Sequence, residues 1–313
     1  MNFCFRFRRL TALLLTLTAL CAVPALALFD NGDTGLGAGS QPVARNLWLD
    51  TYRNVAVTGT LSVALSDGGE VTYRVTKHPA RGALSFDREG GAAFTYTPYE
   101  NKTGRDAFTY VAVDGEGRVS QPATVKVTIS KPAVDVFYRD MEGHPAHKAA
   151  ISLAERGVFT GERLGTAYVF RPDSPVTRQE FLAMAMDALG RDGTGTALPT
   201  GFADGDAIAA WARPYVASAL RDGTVQGSRE ESGMCFCPDR LIRRGEAAVL
   251  LDRLLRLADA EREDTLPAWA AQSVANLEAA GVLLPGADPE ETLTRAEAAV
   301  LLDGAMDVLD ARR

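Results

Sequence analysis

From about Pro42 the chain alternates apolar and polar residues in short runs: Val55 to Val57, Val71 to Val75, Ala83 to Phe86, Ala93 to Thr97, Ala107 to Val113 and Thr124 to Ile129. Turn-forming groups separate them at Asp67-Gly68-Gly69, Glu89-Gly90-Gly91 and Asp114-Gly115-Glu116-Gly117. A period of two with turns every ten residues or so predicts an antiparallel β-sandwich over residues 42–130. Beyond Lys131-Pro132 the apolar period lengthens and Ala and Leu dominate, which predicts helices. The pattern there repeats itself. Three helix entries align: Val176-Thr177-Arg178-Gln179-Glu180, Ile242-Arg243-Arg244-Gly245-Glu246 and Leu293-Thr294-Arg295-Ala296-Glu297. A shorter helical run precedes each entry and stops at Gly157, Gly223 or Gly281, positions that suit the left-handed residue closing a helix. The glycine-to-arginine separation is 21 residues in the first two copies and 14 in the third.

The first 27 residues are set apart. Arg6, Arg8 and Arg9 precede an apolar run from Leu10 to Val23, and Ala25-Leu26-Ala27 gives a small-x-small cleavage site, so the segment reads as a signal peptide and the protein as exported. The run is too short for a membrane helix, and no membrane span is expected after cleavage. Cys21 as a lipidation site is disfavoured by Leu20 before it. Residues 28–41, rich in Gly, Asp and Ser, read as a flexible linker. The formal net charge of −7 becomes −10 once three arginines leave with the signal, which argues against nucleic acid as a partner. Cys4 and Cys21 leave with it too. Cys235 and Cys237, two apart in what reads as an extended segment, point to opposite faces and read as free thiols rather than a disulfide or zinc site.

The arginine just inside each helix entry is the candidate chemistry. A helix N-terminus carries a partial positive charge, so an exposed guanidinium there costs a few tenths of a kcal/mol, roughly, unless an anion is near. One reading has Arg178, Arg244 and Arg295 joining free backbone amides to hold a carboxylate of a ligand; the other has each in an ordinary internal ion pair. Thr177 with Glu180, and Thr294 with Glu297, form Thr-x-x-Glu capping boxes; in the second copy Glu246 faces Arg243, which forfeits the cap. Trp211 and Trp269 are assigned to stack on the same ligand, with burial in the repeat core as the competing reading. His144 and His147 read as surface or loop residues. Asp67, Asp106 and Asp114 read as turn formers, calcium ligation being the alternative. With no Gly-x-Ser-x-Gly elbow, no His-Glu-x-x-His and three histidines in all, no catalytic site, cofactor or metal is expected.

Two resemblances sharpen this picture. The run Gly104 to Gly117 with Ala123 to Ile129 resembles bacterial immunoglobulin-like or cadherin-like modules of surface proteins, which implies a spacer or adhesive role. The thrice-repeated Thr-Arg-x-Glu entry, the Trp-Ala helix starts, Phe170-Arg171-Pro172-Asp173 and Phe202-x-Asp204 resemble S-layer homology domains. That likeness implies repeats over 134–195, 196–258 and 262–311, packed as a pseudo-threefold helical bundle. It also implies non-covalent binding of a secondary cell-wall polysaccharide, often pyruvylated, by a protein of the cell wall or surface layer, with other surface-layer proteins as further partners. Pro145 stands where the first copy should have its Trp, the second copy has Arg243 and Gly245, and the third lacks the Phe-x-Pro segment. The alternative function is a surface protein–protein interaction or adhesion factor whose repeats no longer hold glycan.

Overall fold

A computed structural model describes residues 41–64, 69–165, 167–191, 199–262 and 266–313. The signal segment, nearly all of the linker that follows it, Cys4, Cys21 and Asp67 lie outside the described residues.

Seven strands form the sandwich: β1 (Leu47–Tyr52), β2 (Val57–Thr60), β3 (Thr72–Lys77), β4 (Gly82–Phe86), β5 (Ala93–Pro98), β6 (Gly104–Val113) and β7 (Ala123–Ser130). They pair as a four-stranded sheet in the order β1-β7-β6-β3 and a three-stranded sheet in the order β2-β5-β4. Inward residues of both sheets meet in one core of Phe94, Tyr96, Phe108, Tyr110, Val125, Val127 and Ile129, each at most 2% exposed. Burying a side chain of this size stabilises by about 1.5–3 kcal/mol. Phe94 and Phe108 meet edge to face at 5.3 Å. Asp106 and Asp114 spend their carboxylates locally. The first accepts from the amides of Ala80, Arg81 and Ala107 and from the Tyr96 hydroxyl; the second accepts from the amides of Glu116 and Arg118 and from the Arg118 guanidinium.

Strand β1 departs from the all-antiparallel expectation, because it runs parallel to β7. The chain then turns at Asn54, whose φ is 64°, and enters the other sheet as β2. Two strands far apart in sequence need no hairpin between them, so either direction of pairing is open to them. The alternation of Leu47, Leu49 and Thr51 inward with Trp48, Asp50 and Tyr52 outward went unread in the sequence because the outward Trp48 is apolar and hides the period of two in Leu47-Trp48-Leu49.

The helical half is three copies of one plan. Copy one has α1 (His147–Glu155), a hairpin of β8 (Glu162–Leu164) and β9 (Ala167–Val169), and α2 (Arg178–Ala188). Copy two has α3 (Arg213–Arg221), a hairpin of β10 (Ser228–Glu230) and β11 (Gly233–Cys235), and α4 (Arg244–Leu255). Copy three goes from α5 (Ala271–Ala279) to α6 (Arg295–Asp310) with no hairpin among the described residues, which accounts for its shorter glycine-to-arginine separation. Gly157, Gly223 and Gly281 have φ of 72°, 74° and 72°, the left-handed stop that the pattern required.

Pseudo-threefold symmetry is closed by the backbone. The Val176 amide donates to Leu293 O at 3.1 Å, Leu293 to Ile242 O at 3.0 Å and Ile242 to Val176 O at 3.0 Å. The residue before each Thr-Arg or Arg-Arg entry is therefore fully buried at the axis. Around it the three copies share one apolar core, which includes Phe170, Phe181, Ile242, Leu251, Leu277 and Leu302. Val55 of the sandwich belongs to the same core. The Tyr52 hydroxyl donates to Glu155 of α1 at 2.6 Å, and Lys148 stands 3.7 Å from Asp50. Sandwich and bundle are thus docked through the first repeat.

Candidate functional site

Each helix entry is built by two copies. The amides of Arg178 and Gln179 donate to Arg240 O and Pro238 O; those of Arg244 and Gly245 to Glu291 O and Pro289 O; those of Arg295 and Ala296 to Ser174 O and Pro172 O. The free amides expected at these N-termini are therefore occupied by a neighbouring loop, so an anion here meets side chains rather than backbone donors. The next amide inward is taken by the cap: Glu180 N reaches Thr177 Oγ1 and Glu297 N reaches Thr294 Oγ1. Glu180 and Glu297 return the bond through Oε2 to the threonine amide, each at 2.8 Å. In copy two Arg243 has no acceptor to offer, and only the return bond from its amide to Glu246 Oε2 remains, at 3.1 Å.

The other glutamate oxygen, Oε1, meets the arginine of another copy. Arg178 reaches Glu246 Oε1 at 3.3 Å, and Arg240 pairs with the same oxygen. Arg244 reaches Glu297 Oε1 at 2.8 Å and Glu291 at 2.8 Å. The third relation, Arg295 towards Glu180, is open: among the described residues Arg295 has no carboxylate partner within 4.0 Å. It donates instead to Phe170 O at 2.9 Å and lies over the Phe159 ring at 5.0 Å.

Burial separates the three guanidiniums further. Arg178 is 8% exposed, lies over Phe236, and keeps Nε without a partner. Desolvation pulls its pKa below the ordinary arginine value, with Glu246 opposing. For Arg244 desolvation also works against the charge, but the bonds to Glu291 and Glu297 outweigh it and raise the pKa. Desolvation pushes Glu297 up; its bonds to Thr294 and Arg244 outweigh that and hold it below the usual range.

Arg295 and Glu180 line one crevice of about 380 Å³ with Phe159, Met184, Asp187, Trp211 and Tyr215. Its lining comes from all three copies: α2 of copy one, Arg295 of copy three, and Trp211 and Tyr215 of copy two. The Tyr215 hydroxyl donates to both oxygens of Asp187. A symmetry-related crevice of about 630 Å³ holds Arg244, Glu297, Leu284, Val300 and, in the tryptophan's place, Pro145; Thr58 of the sandwich lines it too. Trp211 and Trp269 are 52% and 50% exposed, so the core reading of the two indoles is set aside. Trp269 rests at the start of α4, where a β-carbon on Gly245 would come within 2.8 Å of its ring. Pro289 Cβ and O would stand at 3.0 and 3.1 Å, so a side chain at this position, such as the Ala296 of copy three, is crowded in copy two.

Residues that the sequence reading did not single out complete the entries, among them Ser174, Pro238, Pro289, Glu291 and Asp140. Pro289 and Glu291 supply the same carbonyls as Pro172 and Ser174, so copy three keeps these acceptors although Ala287 stands in place of the Phe ring and the described residues hold no hairpin there. The signal was present as Pro172, Pro238 and Pro289, each six residues before its arginine. Asp140 and Asp204 accept the paired amides of Phe170 with Arg171 and of Phe236 with Cys237. These clamps hold Arg171 and Cys237 at φ 57° and 59°. Cys237 is thus in a left-handed turn, not an extended segment; Cys235 is buried and both thiols are free. His147 also departs from its surface reading: it opens α1, is 9% exposed and meets Tyr138 edge to face at 6.3 Å.

Comparison with known proteins agrees with this architecture. Residues 40–129 match the model of the bacterial Ig domain, and residues 137–182, within copy one, match that of the S-layer homology domain. The two matches follow one another along the chain, the bacterial Ig domain first and the S-layer homology domain second. A surface-layer 125 kDa protein of Lysinibacillus sphaericus is 29% identical over 127 residues, 40% of this chain and 10% of that protein, so the chain spans about a tenth of its relative's length. Among solved structures, the fibronectin(III)-like modules of Clostridium thermocellum CbhA are 18% identical over 29% of this chain and 95% of theirs, with a TM-score of 0.19. A SusE-like surface-located polysaccharide-binding protein of Bacteroides thetaiotaomicron is 17% identical over 32% of this chain and 16% of its own, with a TM-score of 0.22. Likeness at these scores carries no argument about function. No helix among the described residues is long and apolar enough to cross a membrane.

Proposed function

We propose that this cell-surface protein is tethered non-covalently to the wall by its S-layer homology bundle, and that the crevice of Arg295, Glu180, Trp211 and Tyr215 holds a carboxylate-bearing saccharide of a secondary cell-wall polysaccharide. The observation that carries this reading is the open Arg295–Glu180 relation. A ligand carboxylate reaches Arg295 without breaking an internal ion pair, whereas at Arg178 and Arg244 it must displace glutamates already in place. The half-exposed Trp211 indole lines the same crevice and supplies an aromatic surface for a sugar ring. A pyruvate ketal fits the demand, being a carboxylate fixed on a pyranose. The role is binding rather than catalysis, and the Ig domain is the displayed module.

Co-sedimentation of the mature protein with cell-wall sacculi, before and after the non-peptidoglycan polymer is stripped, tests the tether. Sedimentation is expected to be lost on stripping and to fall in Arg295→Ala and Trp211→Ala; sedimentation that survives stripping overturns the reading. The internally paired Arg178 and Arg244 favour a second reading for their own crevices, as surfaces that hold no glycan. Titration with a pyruvylated N-acetylmannosamine fragment then finds one site per chain.

A further inference from the structure

The outer face of the four-stranded sheet is unlike the rest of this acidic chain. Register places Trp48 of β1 beside Lys126 of β7 and Ala107 of β6 in one row, with Asp50, Thr128 and Arg105 in the next. Arg74 of β3 lies opposite Val111 on the same face. Trp48 is 64% exposed, and the Lys126 ammonium sits 5.8 Å from its ring centre. Arg74, Arg105 and Lys126 are exposed, and among the described residues none has a carboxylate within 4.0 Å. The face's one acid in these rows, Asp50, is turned to Lys148 of the bundle. A net-negative protein thus presents one sheet face with three cations that have no carboxylate within 4.0 Å, one of them over an exposed indole.

We propose that this sheet face is a second carbohydrate-binding site, which takes an anionic polysaccharide chain with one sugar ring stacked on Trp48 and its acid groups on Lys126 and Arg105. The inference is independent of the Arg295 crevice. Several features select this occupant. Two strand spacings, about 10 Å, separate β1 from β6, so the site spans a stretch of polymer rather than a single small anion. Between the cations stand the small Ala107 side chain and the Thr128 hydroxyl, which suit a hydroxyl-rich ligand. A protein partner would ask for a larger apolar centre than one indole supplies. Tyr52, two outward positions beyond Trp48, is fixed to Glu155, so the face is held at a set place beside the wall-binding bundle.

Affinity electrophoresis of the mature chain in gels containing polygalacturonate, with neutral dextran as comparator, tests this. Arg295→Ala serves as the background, so that any carboxylate binding in the bundle crevice is removed first. In that background polygalacturonate is expected to retard the protein, dextran is not, and added salt weakens the retardation. Trp48→Ala and Lys126→Glu each weaken it about tenfold, the size of one aromatic or charge-assisted contact, without shifting the melting temperature. Undiminished retardation in both variants, equal retardation by dextran, or no retardation at low salt overturns the proposal. Dissociation of a self-associated form by Trp48→Ala also overturns it, by showing that the face binds protein.

Discussion

Arg178, Arg244 and Arg295 occupy one position of a threefold pattern and meet three different surroundings. Arg178 is enclosed with Glu246, Arg244 is shared by Glu291 and Glu297, and Arg295 faces an open crevice. Their substitutions should therefore differ in kind. Removing a buried partner leaves the other charge uncompensated, so Arg178→Ala is expected to cost about 1–3 kcal/mol in urea unfolding, moderated because Arg240 still reaches Glu246. Arg295→Ala loses a bond to a carbonyl and a ring contact, and is expected to cost about 1 kcal/mol or less while weakening wall binding. Equal destabilisation by the two would contradict the distinction. The residue type and its place at each entry were legible in the sequence; the difference between the three sites was not, because the glutamates that neutralise Arg178 and Arg244, and the open space beside Arg295, are set by other copies.

At the scale of the element, the helix entries carry the argument. Thr177 and Thr294 complete capping boxes, whereas Arg243 leaves the α4 box half made. Arg243→Thr supplies the missing acceptor and is expected to raise stability by about 1 kcal/mol, since the pair it gives up, with Glu290, is exposed. Differential scanning calorimetry should show a higher melting temperature. Gly245→Ala should do the reverse. Its new methyl would stand 3.0 Å from Pro289 Cβ and 3.1 Å from Pro289 O, and the backbone atom cannot swing aside as the Trp269 ring can. A loss of about 1–3 kcal/mol is expected on chemical denaturation. The caps were readable because they are local, within four residues. The clash that disfavours a side chain at Gly245 was not readable, since it joins a helix start to the Pro289 loop of the following copy.

At the largest scale, the described residues form a sandwich and a bundle docked through the first repeat. His147 lies near that junction, where burial, reinforced by His144, lowers its pKa below the ordinary 6.5, with Glu142 and Asp140 opposing. The unfolded chain then binds a proton that the folded chain resists. Its contribution to stability is full above pH 6.5 and is lost as pH falls from there through the lower folded value. Melting temperatures measured across that range should fall for the native chain, and His147→Phe should flatten this part of the profile. An unchanged slope in the variant would remove His147 as its source.

Sequence alone determined the strand-forming alternation of residues 42–130, the three helix entries and their glycine stops, because these depend on side-chain periodicity and on bonds between near neighbours. It also marked the arginines as unusual, since a cation at a helix start asks for an anion. Tertiary structure decided where that anion stands. It closed the ring through Val176, Ile242 and Leu293, filled the helix amides with carbonyls of the adjoining loop, and paired two arginines while leaving Arg295 open. It likewise set β1 parallel to β7 and turned Trp48 outward. Each of these outcomes joins residues dozens of positions apart, and such pairings exist only once the copies pack around a common axis and the two sheets close over one core.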